Sequence, residues 1–330
     1  MPERRRMSGS SAARQAALRA ARPWRLSGPF GSPLALAGIA LVLTSAFFVL
    51  FPDVDRWTSA LFLGPEGGFP LARSGISKAI RLAFDVVTIA VLAVSLGALL
   101  VHLMWRRPWV VLVTPSQALF LLLSYAIVPG LLVNGILKEY SGRARPRALL
   151  EFNSGGELFT PAWVHADQCW YNCSFPSGEA SAAMALVAVV MVLPFAWRRR
   201  AHMLVIPVIL VISANRIVMG GHFLSDVVIG WCLTLVAIYW LRSLMLGETA
   251  AARIDDTLSG AVPRLAARFR SSLTRLDKQD ADGEQREDAG EKPVDGAGDE
   301  RARLEPVGEL MGAEDDRGHQ RDRQNGEQAA

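Results

Sequence analysis

The sequence predicts an all-α membrane protein of six transmembrane helices with an active site at the extracytoplasmic face. Three observations predict it. Hydrophobic residues make up 51% of the 330 residues, high for a soluble chain of mixed class, and they cluster into long runs. Arginines gather at alternate junctions between those runs. The residues able to do chemistry gather at the other junctions.

Each run is close to the about 20 residues that a helix needs to cross a bilayer. The first, 32–51, follows a polar, basic segment over 1–31 that contains Arg4, Arg5, Arg6, Arg14, Arg19, Arg22 and Arg25. It lies too far into the chain, and is too long, for the core of a cleaved leader, so it reads as an uncleaved anchor. The second run, 82–104, precedes Arg106 and Arg107, and the third spans 116–137. The fourth, 180–196, is the shortest and is ended by Pro194. Arg198, Arg199 and Arg200 follow it, before the fifth run at 203–219. The sixth, 223–244, is flanked at its end by Arg242 and Arg253. If six spans alternate, all these arginines lie on one side. By the positive-inside rule that side is the cytoplasm, which places both termini there. Topology accounts for the basic N-terminus without a nucleic-acid partner, and none is expected.

The opposite face carries the 53–81 loop, the long 138–179 loop and the Gly220-Gly221 turn. The long loop is rich in Arg, against the bias, and phosphate binding would explain that. Three segments here concentrate the chemistry. One reads Lys138-Glu-Tyr-Ser-Gly-Arg143-Ala-Arg145-Pro146, the next Cys173-Ser-Phe-Pro176-Ser177-Gly178-Glu179, and the last Asn215-Arg216 through His222 to Asp226. His222 and Asp226 are four apart and share a helix face. A carboxylate placed there can accept the imidazole Nδ1–H and leave Nε2 as a free lone pair. Arg216 is a planar fork suited to phosphate oxygens. Ser177 and Gly178 precede the fourth run, so their N–H groups sit at a helix N-terminus, an anion-binding position. Taken singly, Lys138 could be a snorkelling flank and His222 a polar helix-entry residue. An Asp at the membrane margin, however, is rare without a partner.

Together the three segments resemble the signature of the type 2 phosphatidic acid phosphatase superfamily of integral membrane lipid phosphatases. That signature reads Lys-x6-Arg-Pro, then Pro-Ser-Gly-His, then Ser-Arg-x5-His-x3-Asp. Lys138, Arg145 and Pro146 match the first motif, and Arg216, His222 and Asp226 the third. Glu179 replaces the His of the second motif and Asn215 the Ser of the third. The resemblance covers roughly residues 30 to 245. It implies that Lys138, Arg145, Ser177, Gly178 and Arg216 bind phosphate, that His222 attacks phosphorus to give a phosphohistidine, and that Asp226 holds the imidazole. It implies chemistry without metal or cofactor, at the periplasmic face of a bacterial inner membrane, on a lipid phosphate or pyrophosphate. The family's second-motif His protonates the leaving oxygen; Glu179 takes that role if burial raises its pKa against the nearby cations, or else the leaving group, a sugar phosphate or pyrophosphate, needs less acid help. The Ser-Phe-x-Ser-Gly-Glu variant is similar to that of some bacterial lipid A phosphatases. A phosphotransferase drawing on a polyprenyl pyrophosphate differs only in what attacks the phosphohistidine. An anion transporter would place its charges near the midplane, among broken helices.

Outside the 32–246 domain, 247–278 reads as a basic linker. Leu265, Phe269, Leu273 and Leu276 form one stripe amid Arg and Lys, which suits an amphipathic interfacial helix or a partly helical linker. From Gln279 to Ala330 no aromatic residue occurs, and the composition predicts disorder. Cys169 and Cys173 could form a disulfide in an oxidising compartment. With His165 they also suggest zinc, but no fourth ligand is evident. Cys232 falls mid-span and reads as packing. Asp85, near the outer end of the second run, has no assigned role.

Overall fold

A computed structural model describes residues 32–105, 113–152 and 155–290. The N-terminal segment over 1–31, Arg106, Arg107 and the tail beyond Gly290 lie outside the described residues. The chain divides into two compact units, Met1–Ser272 and Leu273–Ala330. The first holds the helical bundle and every candidate site residue.

The bundle helices start where their caps dictate. In α1 (Pro33–Leu50), Ser32 Oγ accepts the Ala35 N–H at 3.0 Å and Pro33 opens the helix. A short α2 (Asp53–Ala60) follows. Ser74 caps α3 (Gly75–Met104). Thr114 and Gln117 form a reciprocal capping box on α4 (Pro115–Tyr125). Two expected boundaries shift as a result. The predicted 53–81 loop is helical at both ends, so α3 begins early enough to carry Arg81. Likewise α7 (Phe195–Val218) absorbs the three arginines at 198–200.

After α4 the chain continues as a wider π-helical stretch, Ala126–Leu137, and then one α turn, α5 (Lys138–Ser141). Pro129 lies inside the wide stretch. Its missing N–H and its ring are incompatible with the tighter ladder. Gly142 ends α5 at φ 58°. A Cβ there would sit 1.5 Å from the Ala166 carbonyl oxygen, so only glycine can make this turn.

Among the described residues, five helical segments are long and apolar enough to cross a bilayer: Pro33–Leu50, Gly75–Met104, Pro115–Ala148, Phe195–Val218 and Leu224–Met245. The helix expected over 180–196 forms as α6 (Gly178–Val192), at 15 residues short of that length. It ends at Val192 because the residue before Pro194 is driven out of the helical region. This short helix is the centre of the bundle. Ala180, Ser181, Ala183, Ala185, Leu186, Ala188 and Val190 bury it on all sides. Their small size lets α7 and α8 (Leu224–Met245) pack close on it. Phe120, Leu121 and Tyr125 of α4 meet Ala185, Ala188, Ile238 and Leu241 in the largest apolar cluster. The outward faces of α1 and α3 stay apolar and exposed, Val42, Leu43, Leu82 and Ile89 among them, as a lipid-facing surface requires.

Asp55 of α2, Arg81 near the start of α3, Lys138 at the start of α5, Glu179 at the start of α6, Arg216 at the end of α7 and Asp226 at the start of α8 all contribute to one charged cluster, described below. Beyond the bundle come α9 (Glu248–Leu258) and α10 (Ala261–Gly290). α10 covers the expected amphipathic stretch and runs on to Gly290, past the point where the composition predicts disorder. Ala, Gln, Glu and Arg extend a nucleated helix at little cost.

Gly142→Ala should prevent the α5 turn from closing. Its backbone strain alone is on the order of 1–3 kcal/mol, and the clash adds to it. A thermal scan of the purified protein should show a marked loss of stability, and a wild-type melting curve would contradict this account of the turn.

Candidate active site

The candidate catalytic and phosphate-binding residues gather at one end of the bundle. His222 is in the loop between α7 and α8 and is 1% exposed. Its Nδ1 lies 2.7 Å from the backbone oxygen of Ser174. A carbonyl only accepts, so Nδ1 carries the proton and the Nε2 lone pair is free. The sequence predicts Asp226 in that accepting role. The structure corrects this: Asp226 Oδ2 stands 3.6 Å from Nδ1, a charge neighbour rather than a hydrogen-bond partner. Asp226 is instead taken up by its own helix start, where Oδ2 accepts the Phe223 N–H at 2.8 Å. The Ser174 hydroxyl donates to the same oxygen. Burial holds the His222 imidazole well below its ordinary value, to about 4, against the pull of Asp226. The ring is therefore neutral near pH 7.

A residue without an assigned role in the sequence reading holds this arrangement. Arg143, fully buried, donates to Asp226 Oδ1 through Nη1. Through Nη2 it reaches Asp55 Oδ2 at 2.9 Å. Its Nη1 also meets Ser225 Oγ at 2.9 Å, and its Nε meets the Thr160 carbonyl at 2.8 Å. The guanidinium lies over the Phe223 ring, 4.2 Å from its centroid. Asp55 in turn accepts the Ser225 N–H at 2.8 Å, at the first turn of α8. One guanidinium thus ties α2, the long loop and α8 together. The only sequence signal for Arg143 is its place between Lys138 and Arg145 in an Arg-rich outer loop. Asp55 gives no signal, because an acid after a membrane span is ordinary.

The phosphate-binding candidates converge around His222. Lys138, Arg216 and Glu179 each interact electrostatically with His222, and Arg145 interacts with Lys138 and Arg216. Arg216 is buried, and its Nε has no hydrogen-bond partner. Glu179 Oε2 lies 3.3 Å from that Nε, close but not aligned for a bond. Glu179 is held in a fork by Arg81, at 2.8 and 3.1 Å. Glu179 therefore stands as an anionic partner of two arginines, and the geometry gives its expected role as proton donor no support. Lys138 Nζ donates to Asn172 Oδ1 at 3.0 Å, and Arg145 Nη2 donates to the Asn172 carbonyl at 2.6 Å.

Ser177 caps α6, its Oγ accepting the Ala180 N–H at 3.4 Å. Its own N–H is spent on the Asp226 carbonyl at 3.0 Å. The Ser177 N–H, expected from the sequence to meet an anion, is thus already taken. A Cβ on Gly178 would come 2.4 Å from Asn134 Oδ1, so a larger residue there would have to displace the Asn134 side chain. Asn215, at the place of the family's Ser, donates to the Ser77 carbonyl at 3.1 Å and ties α7 to α3. Cys169 and Cys173 form a disulfide, which takes both thiols that the zinc alternative needs. His165 Nδ1 turns to the Tyr140 carbonyl.

A family model described as "PAP2 superfamily" matches residues 117–249. A Rhizobium etli protein named lipid A 4'-phosphatase is 33% identical over 213 residues, covering 60% of this chain and 82% of that protein. The chain belongs to the PAP2 superfamily. A Francisella tularensis subsp. novicida protein, also named lipid A 4'-phosphatase, is 28% identical over 60% of this chain and 89% of its own length. A solved PAP2-type phosphatidylglycerolphosphate phosphatase from Bacillus subtilis aligns with 64% of this chain and 94% of its own. Its TM-score is 0.41 and its identity 20%. As a member of the superfamily, the chain is a membrane phosphatase acting on phosphate esters.

Two outcomes follow from the geometry. Arg143→Ala leaves two buried carboxylates without their counter-charge, a loss of about 3–5 kcal/mol. Denaturation should detect it, and Arg143→Lys, which cannot fork, should recover only part. With His222 neutral down to about 4, kcat/KM should hold as pH falls from 7. It should then drop about tenfold per unit below that value as the imidazole takes up a proton. A pH–rate profile that already falls near pH 6.5 would contradict the neutral, buried imidazole.

Proposed function

We propose that the chain is a bacterial inner-membrane lipid phosphatase, with lipid A as substrate and His222 as nucleophile. The observation that carries this is a buried imidazole with its Nε2 lone pair free, set beside a buried arginine with an unsatisfied Nε. An orphaned buried donor is costly, and a phosphate oxygen would satisfy it. The names borne by the relatives support lipid A.

In this reading the phosphate sits on Arg216, Lys138 and Arg145, with the Ser177 hydroxyl and the Gly178 N–H at the helix start. His222 Nε2 attacks phosphorus and the bond to the lipid oxygen breaks. The phosphoimidazole becomes cationic, and Asp226 at 3.6 Å stabilises it. The departing alkoxide takes a proton from solvent at the open face. Water then attacks phosphorus, returning His222 and releasing phosphate. Three arginine and lysine side chains supply the charge that other phosphatases draw from metals, so neither metal nor cofactor is called for. Glu179 exchanges: an arriving phosphate competes for Arg216, and Arg81 retains the carboxylate.

All these charges lie at one end of the bundle, which favours an enzyme working at a membrane face over a transporter. The arginine bias supports a periplasmic position for that end and cytoplasmic termini, with α6 as a sixth, short span.

Phosphate release in detergent should be measured from lipid A, phosphatidic acid, phosphatidylglycerol phosphate and polyprenyl pyrophosphate, with EDTA present. Lipid A should be turned over best and EDTA should not inhibit. His222→Ala should reduce release to background on every lipid. Glu179→Gln should lower KM with little change in kcat, because it removes the carboxylate that competes with phosphate for Arg216. Retained turnover in His222→Ala would overturn the mechanism, and preference for another lipid would overturn the substrate.

A further inference from the structure

The disulfide loop Cys169-Trp170-Tyr171-Asn172-Cys173 is built into the site, and neither the family motifs nor the mechanism assigns it a role. Its root is buried: Cys173 is fully enclosed. The next residue, Ser174, supplies the carbonyl that fixes the His222 tautomer and the hydroxyl that binds Asp226. Its Asn172 adopts φ 52°, a left-handed conformation that Asn tolerates. There the Asn172 side chain meets Lys138 and its carbonyl meets Arg145. Its tip is open: Trp170 is 94% exposed and Tyr171 80%. The bond between Cys169 and Cys173 closes the loop over a sequence separation of 4, so the tip cannot move far from the root.

Along the chain, Trp170 lies within about 7 Å of Asn172. A phosphate seated on Lys138 and Arg145 therefore has its substituent within reach of these two rings. Large exposed aromatics beside a polar site mark a binding surface, and each ring offers an apolar face with a polar edge. A pyranose presents the matching surface, C–H groups on its face and hydroxyls on its rim.

We infer that the Cys169–Cys173 loop is the sugar-binding element of the site: Trp170 and Tyr171 receive the ring that bears the phosphate, and the disulfide holds them beside the phosphate cations. This rests on the reading of lipid A as substrate. The same rings could instead anchor the loop in lipid headgroups. The wiring of Asn172 to Lys138 and Arg145 favours the substrate, since an anchor needs no contact with the phosphate cations.

The test uses the full chain in detergent micelles, comparing wild type with the Trp170→Ala/Tyr171→Ala double variant on lipid A and on phosphatidic acid. Melting curves serve as a control for folding. The double variant should raise KM for lipid A about tenfold, with kcat within about twofold and an unchanged melting curve. The ratio of lipid A to phosphatidic acid kcat/KM should fall accordingly. Reducing the disulfide in the wild-type protein should raise the same KM. An unchanged KM for lipid A would overturn the proposal. So would an equal loss on phosphatidic acid, which would assign the rings to membrane anchoring. A wild-type protein unable to turn over lipid A would sink the substrate reading, and this proposal with it. Normal wild-type turnover with an unaffected variant would sink this proposal alone.

Discussion

The active end of this bundle depends on a single buried cation. Arg143 stands between Asp55 and Asp226, with hydrogen bonds to both, a serine and a backbone carbonyl. Bringing a guanidinium and two carboxylates out of water is expensive, and it is repaid only when every donor and acceptor is used. Here every guanidinium nitrogen of Arg143 has a hydrogen-bond partner. The benefit is geometric. With Asp226 fixed from one side by Arg143, its other oxygen can take the Ser174 hydroxyl and the Phe223 N–H. Ser174 is then placed to accept from His222. The orientation of the imidazole is thus inherited from a charge cluster that reaches it through Ser174 and Asp226.

The same logic explains a division of labour among the cations. Arg143 has its anions within the protein and is a structural element. Arg216 is nearly as buried but lacks a partner at Nε, and among the described residues Lys138 and Arg145 donate to the neutral Asn172. A buried positive charge left incompletely paired is a poor contributor to stability and a good binding site for an anion. Glu179 occupies an intermediate position, gripped by Arg81 and close to Arg216.

Much of this was legible in the sequence because the motifs are local. Lys138 with Arg145, Ser177 with Gly178, and Arg216 with His222 and Asp226 each sit within a few turns of chain, so spacing alone predicts that they meet. The long apolar runs were legible for the same reason, although caps at Ser74 and Pro194 moved helix ends that hydropathy could not locate. What the sequence hid is non-local. Asp55 and Arg143 are 88 residues apart, and Arg81 and Glu179 are 98 apart. No periodicity links such pairs. The Nδ1 partner of His222 was hidden for a different reason: a backbone carbonyl carries no residue identity, so the i,i+4 carboxylate looked like the natural acceptor.

The central claim is that His222 forms a covalent bond to the phosphate it removes. Lipid A carrying radiolabelled phosphate, mixed with the purified protein and quenched within milliseconds, tests it most directly. The account predicts label on the protein that is stable in alkali, lost in acid, and confined to a peptide containing His222. Rapid phosphate release with no protein-bound label at any time, or label on another residue, would contradict it.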